Sequence, residues 1–324
     1  MGLLRVAMGE PVLAAPATNK SRGALPRAMW VWDATVITSA KQGRDLFDFC
    51  ARKGISVVYL EMGDFLSLTP RETGDPRHVT APLLSRFLQV AHARKLRVEA
   101  LDGAPEFALQ TQHAEALARF RRALAYNQSA AAGEKLDGFQ WDIEPYLLAE
   151  FKAGGASQTR VLTQYLDGAA QMRDALQKSP VLRLGYVIPA FFDDQERTVE
   201  WRGATKPVAF HLMDILQTLP SSYVAIMAYR DHALGVNGTV DISRSEVDYA
   251  TRKTPKVQVW IGQETLNVSG DPPSITFYQE GENALEQALG EIQTAYQAKP
   301  VVAGVAIHHW GSYRDMKAGA PLRK

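Results

Sequence analysis

Residues 136–146 read LDGFQWDIEPY. The stretch begins as an apolar, β-prone run and ends on two acids, Asp142 and Glu144, one residue apart and followed by Pro145. Side chains alternate faces along a strand, so Gln140, Asp142 and Glu144 share one face. Burying an unpaired carboxylate is costly, so two of them on one face of a strand call for a chemical reason. Neighbouring carboxyls raise one another's pKa by charge repulsion. A carboxylic acid is kept protonated near neutral pH in this way, and it can then serve as a proton donor.

Acids end most of the other apolar runs. AMWVWD (28–33) stops at Asp33, ISVVYLE (55–61) at Glu61 and LRVEALD (96–102) at Asp102. YVAIMAYRD (223–231) stops at Asp231 and KVQVWIGQE (256–264) at Glu264. Aromatic residues accompany them: Trp30, Trp32, Tyr59, Trp141, Tyr229, Trp260 and Trp310. Met227, Tyr229 and Asp231 share a face by the same alternation. Carboxylates with aromatic platforms suit a sugar polymer: rings stack on pyranose faces, while acids protonate a glycosidic oxygen and stabilise an oxocarbenium-like transition state. Trp32, Asp33, Glu61, Asp102, Gln140, Met227, Asp231, Glu264, His308 and Trp310 are candidate substrate-binding residues around the acid pair. Taken singly, an acid at a strand end is as readily a helix N-cap, as Asp33 would be. An isolated tryptophan is more often core than platform. The functional reading rests on convergence. Glu99, out of phase with the site acids, is expected to face the helices.

The elements that must position these residues repeat along the chain. With LDGFQWDIE (136–144), LRLGYVIPAFF (182–192) and VAGVAIHHW (302–310), there are eight strand candidates. Between them lie stretches such as GRDLFDFCARK, APLLSRFLQVAHARK, AEALARFRRALAY, TRVLTQYLDGAAQMRDALQ and ENALEQALGEIQTAYQ, with apolar residues at helical spacing. Strands alternating with helices imply parallel pairing, and eight such units predict a single (β/α)8 barrel over residues 27–315. Residues 1–26 and 316–324 are read as tails. An open doubly wound sheet is disfavoured, because no GxGxxG follows an early strand. DDQERTVEWRGATKPVAF (193–210) reads as a long loop over the barrel mouth.

Composition narrows the partners. The 324 residues carry 36 basic and 35 acidic side chains, a net charge of +1, with no basic run suited to nucleic acid. The lone cysteine, Cys50, excludes an intramolecular disulfide and a cysteine-based zinc site, and its place on an apolar helix face makes it a packing residue. No run of about 18 apolar residues spans a membrane. VLAAPA near the N-terminus resembles the end of a secretory leader, but Glu10 and Pro11 interrupt the apolar run before it. A periplasmic or secreted location is expected, with a cytoplasmic one as the alternative, and the chain is expected to act as a monomer without a cofactor.

The chain resembles the chitinase-type glycoside hydrolases of family 18. Their fourth-strand signature, DxxDxDxE, reads here Asp137-Gly-Phe-Gln140-Trp-Asp142-Ile-Glu144, with three of the four acids matched. Their Met-x-Tyr pattern on strand six appears as Met227-Ala-Tyr229, with Asp231 following, and their strand-eight tryptophan corresponds to Trp310. The resemblance covers the barrel and is nearest to uncharacterised bacterial barrels with DIEP and MAYRD motifs. It implies that Glu144 is the general acid/base and that Asp142 shares its proton and orients an acetamido group. Tyr229 would hydrogen-bond that group, Trp310 would floor the site, and the acetamido oxygen would be the nucleophile. The departure is Gln140, which can hydrogen-bond Asp142 but cannot take up a proton.

Other readings stay open. Glu144 and Glu264 could form a two-carboxylate retaining pair, which requires about 5–5.5 Å between carboxyls. An inverting enzyme could use Asp102 or Asp231 as base. A metal held by both His308 and His309 is disfavoured, because neighbours on a strand point to opposite faces. A non-catalytic carbohydrate-binding protein is the other class; retention of Asp142 and Glu144 favours an enzyme over it.

Overall fold

The computed structural model describes residues 23–319, apart from 179, 180, 254–256, 268, 269 and 271. The leader-like VLAAPA lies outside the described residues. Strands run in chain order as β1 (Arg27–Val31), β2 (Ile55–Glu61), β3 (Arg97–Asp102), β4 (Gly138–Trp141), β5 (Arg183–Pro189), β6 (Thr198–Trp201), β7 (Ala204–Pro207), β8 (Tyr223–Met227), β9 (Gln258–Glu264) and β10 (Val302–His308). Eight of them close a parallel barrel in the order β1-β10-β9-β8-β5-β4-β3-β2. The longer helices are α1 (Ala40–Lys53), α2 (Ala81–Ala93), α3 (His113–Ser129), α4 (Gly155–Gln177), α5 (Val208–Leu216), α6 (Arg244–Lys253) and α7 (Glu282–Tyr296), and the short α8 (Trp310–Arg314) follows the last strand. The architecture is the (β/α)8 barrel expected from the alternating pattern. No helix among the described residues is long and apolar enough to cross a membrane.

Residues 193–210 depart from the expected loop. They contain the antiparallel hairpin β6–β7 and the start of α5. Its two-residue turn, Arg202-Gly203, has φ of 49° and 78°, as a type I′ hairpin turn requires. The hairpin lies on the helical layer rather than over the mouth. Trp201 Nε1 donates to Asp167 of α4 at 2.9 Å, and the carbonyl of Val199 meets His211 of α5 at 3.1 Å.

The closed sheet sorts side chains into two cores. One fills the space between strands and helices and includes Cys50, whose thiol burial pushes up to about 12. The other fills the barrel and includes Trp30, Tyr59, Leu101, Tyr223 and Trp260. Full burial of such a side chain stabilises the fold by about 1.5–3 kcal/mol. These rings fit because glycines face them. A Cβ on Gly185 would lie 2.1 Å from the Tyr223 ring, and one on Gly304 would lie 2.3 Å from that of Trp260.

Glu99 corrects the expectation for its strand. It is fully buried inside the barrel, not turned to the helices. Leu101 belongs to the inner core and Val98 and Ala100 to the outer one, so alternation carries Glu99 inward. Arg183 Nη1 donates to Glu99 Oε1 at 2.9 Å and the Tyr223 hydroxyl donates to Oε2 at 2.5 Å. Burial raises the Glu99 pKa, and the Arg183 charge offsets part of that rise.

Candidate functional site

A cavity of about 760 Å³ opens at the C-terminal end of the barrel, within the size range of small-molecule sites. β4 delivers the acid pair to it. Past Trp141 the strand spacing continues for one residue, with the Asp142 N–H donating to the Asp102 carbonyl at 3.0 Å. Gly103 permits that approach, since a Cβ there would lie 2.1 Å from the Asp142 carbonyl oxygen. Pro145 then starts a single 3-10 turn, Pro145–Leu147, and disfavours helical backbone at Glu144, which keeps φ −108° and ψ 72°. Both carboxyls line the cavity.

Their surroundings differ. The Tyr146 hydroxyl donates to Glu144 Oε1. Asp142 Oδ1 is buried without a hydrogen-bond partner. Burial, and after it the charge of Glu144, push the Asp142 pKa up to about 7, with His308 offsetting a little. Two interacting carboxyls titrate as a pair, so the pair keeps a proton to near neutrality.

The opposite wall is a hydrogen-bonded chain. Trp32 Nε1 donates to His308 Nε2 at 2.8 Å, and His308 Nδ1 lies 2.8 Å from Glu264 Oε2. An indole N–H can only donate, so Nε2 accepts and Nδ1 carries the proton that goes to Glu264. Glu264 Oε1 also accepts from the Thr265 and Leu266 N–H groups, each at 2.7 Å. Tyr229 stands beside this chain, its ring 6.2 Å from that of His308. Burial, and then the charge of Glu264, hold its hydroxyl neutral far above the usual phenol range, so it remains a donor.

Of the residues selected from sequence, Trp32, Asp142, Glu144, Met227, Tyr229, Glu264 and His308 meet at the cavity. Six do not line it. Asp33 accepts from the Thr35 N–H at 3.0 Å, and Glu61 is paired with Arg77 at 2.7 Å. Asp102 follows Ala100 in strand phase and turns to Arg119 of α3, 3.5 Å away. Gln140 lies inside the barrel, accepting from Trp30 Nε1 at 2.7 Å and donating to Tyr223 at 3.2 Å. Asp231, beyond the end of β8, bonds His232 at 2.6 Å. Trp310 opens α8 and is buried in the outer core under Arg314; the tryptophan that lines the cavity from within the barrel is Trp30. The His309 ring lies beside that of His308, 5.0 Å between centroids, and its Nδ1 caps α8 by accepting from the Gly311 N–H at 3.1 Å.

Sequence reasoning missed Tyr146, Phe191 and Arg230 on the cavity wall. Tyr146 was legible, since it follows Glu144-Pro145 directly. Arg230 had no signal, because its strand phase points it away from Tyr229.

One consequence for stability follows from the raised Asp142 pKa. Between about pH 4 and 7 the unfolded chain has released this proton while the folded chain keeps it, so this carboxyl makes stability fall as pH rises through that window. Ionising it in the fold, where its pKa moves from 3.8 to about 7, costs on the order of 4 kcal/mol as an upper bound. Asp142→Asn is therefore expected to gain stability relative to the parent as pH rises from about 5 to about 8, by up to a few kcal/mol, in urea unfolding at the two pH values. A constant difference would contradict the raised pKa.

Fold and site together define a (β/α)8 barrel with a carboxyl pair and aromatic rings at its C-terminal mouth. In fold the chain is similar to a family 1 β-glucosidase from Thermotoga maritima, at 7% identity over 92% of each chain with a TM-score of 0.57. It is similar to a chitinase from Bacteroides thetaiotaomicron, at 12% identity over 91% of this chain and 94% of that one, with a TM-score of 0.50. It is also similar to a xylanase and α-amylase inhibitor protein in complex with trehalose, at 13% identity over 90% and 94% of the two chains, with a TM-score of 0.51. No protein-family model and no curated protein matches the chain. Glycoside hydrolases and an inhibitor protein thus share this fold, and the chemistry must be argued from the site.

Proposed function

We propose that this protein is a glycoside hydrolase acting on an oligo- or polysaccharide, with Glu144 as proton donor. The observation that carries the reading is the Asp142–Glu144 pair, which keeps a proton to about pH 7 at the wall of an aromatic-lined cavity. Glu144 hands its proton to the departing glycosidic oxygen, and Asp142 returns one to it. Tyr146 can follow both states, because a phenol donates to a carboxylate and accepts from a carboxylic acid. Tyr229, a neutral donor, and Asp142 are suited to hold an amide or hydroxyl substituent beside the reacting carbon. Substrate assistance by an acetamido oxygen, as family 18 chemistry implies, is compatible with this pair.

Glu264 supports this mechanism better than the two-carboxylate alternative. Its three accepted hydrogen bonds occupy both carboxyl oxygens and tie it to orienting His308, which makes it a poor nucleophile. Asp102 and Asp231, engaged by Arg119 and His232, are poor candidates for an inverting base. The test is release of new reducing ends by the purified chain from a panel of bacterial and fungal polysaccharides. Release is expected from at least one. Binding without release would identify a carbohydrate-binding protein, and neither binding nor release would remove the reading.

A further inference from the structure

Arg230 lines the same cavity from the segment that follows β8. Its guanidinium is held by neutral acceptors. Nε and Nη2 donate to Asn237 Oδ1 at 3.2 and 2.9 Å, and Nη1 donates to the Tyr229 carbonyl at 2.6 Å. Among the described residues no carboxylate pairs with it. The acids nearest in sequence are engaged elsewhere: Asp231 bonds His232, and Asp241 takes the Asn237 N–H and Arg244.

A guanidinium has five N–H bonds. Three are committed here. Each terminal nitrogen therefore keeps a donor, and the fork geometry of a guanidinium suits a carboxylate or sulfate. The Asn237 and Tyr229 contacts fix the fork in place without neutralising it, so a ligand anion meets a preorganised cation with little ordering left to do.

We infer that Arg230 recognises an anionic substituent, the carboxylate of a uronic acid or a sulfate ester, so that the substrate is an acidic glycan. The sugar in this inference rests on the hydrolase reading; the anion site rests on the guanidinium alone. The test is calorimetric titration of the full chain carrying Glu144→Gln, which retains ligand without turnover. The probes are oligogalacturonates, sulfated galacto-oligosaccharides, and uncharged cello- and chito-oligosaccharides of matched length. One acidic class is expected to bind about tenfold tighter than the uncharged probes, with an advantage that shrinks as salt is added. The class that binds distinguishes carboxylate from sulfate. Adding Arg230→Gln should abolish the advantage, and Arg230→Lys, with the charge but not the fork, should keep part of it. Equal affinity for charged and uncharged probes, no binding of any acidic probe, or an advantage that survives Arg230→Gln in a folded protein would overturn the inference. Acidic binding with no hydrolysis by the parent chain would leave the anion site standing and remove the hydrolase reading. Hydrolysis of uncharged glycans alone would do the reverse.

Discussion

Glu144→Gln is expected to lower kcat/KM on an unactivated glycan by roughly a hundred- to ten-thousand-fold, the range for loss of a positioned general acid. The amide keeps the shape of the side chain, and its carbonyl can still accept from Tyr146, so binding should persist. It cannot deliver a proton. Need for that proton depends on the leaving group: an alkoxide departs poorly, a nitrophenolate readily. The deficit should therefore be large when reducing ends are counted from a polysaccharide and much smaller when nitrophenol release is followed from an aryl glycoside. The parent should also lose activity as pH rises through about 7, where the carboxyl pair gives up its last proton, and the variant should lack that limb. Equal deficits on both substrates, or none, would show that another group donates.

The largest effect on stability is expected at the base of the barrel. Arg183→Met removes the cation that faces the fully buried Glu99 at 2.9 Å. Stripping one partner from a buried ion pair costs about 3–5 kcal/mol, because the remaining charge is left unpaired in a low-dielectric interior. Glu99 can escape only by taking up a proton. Its pKa is already raised by burial and would rise further without Arg183. The folded state then holds a proton that the unfolded chain has released, so the variant should be less stable at about pH 8 than at about pH 5. Combining Arg183→Met with Glu99→Gln should restore much of the loss. Recovery will be incomplete, since Arg183 also donates to the Ser221 carbonyl and to Gln258. Urea unfolding of the three variants at the two pH values measures this, and a pH-independent loss would argue that Glu99 is not the stranded group.

The barrel was legible in the sequence because it is written in periodicity. Eight β-branched or aromatic runs alternate with helical patterns, and that order leaves parallel pairing with few rivals. The acid pair was legible because Asp142 and Glu144 share a phase with Gln140 and precede a proline. The hairpin at Thr198–Pro207 was overlooked because its strands are four residues each and only the Arg-Gly turn announces it. The remaining site acids failed for a different reason. Ending a strand places a residue at the rim, but strand phase and a nearby cation decide where its side chain goes. Asp102 and Glu61 went to Arg119 and Arg77, partners 17 and 16 residues further along the chain whose approach strand phase alone does not reveal. Glu99 was misjudged because an inward carboxylate looks forbidden until Arg183, 84 residues later, is brought beside it.

Gln140 divides the barrel in a way that bears on both expected results. It takes the Trp30 indole on one side and donates to Tyr223 on the other, and Tyr223 in turn reaches Glu99. An amide neither gains nor loses a proton in ordinary conditions, and the indole beyond it only donates, so this chain relays no proton from Glu99 toward the mouth. The carboxyls at the mouth exchange protons with bulk water through the opening, while the deep glutamate stays cut off from their traffic. An acid at position 140 would put a titratable group in this chain, and its ionisation would be felt at Glu99 through Tyr223.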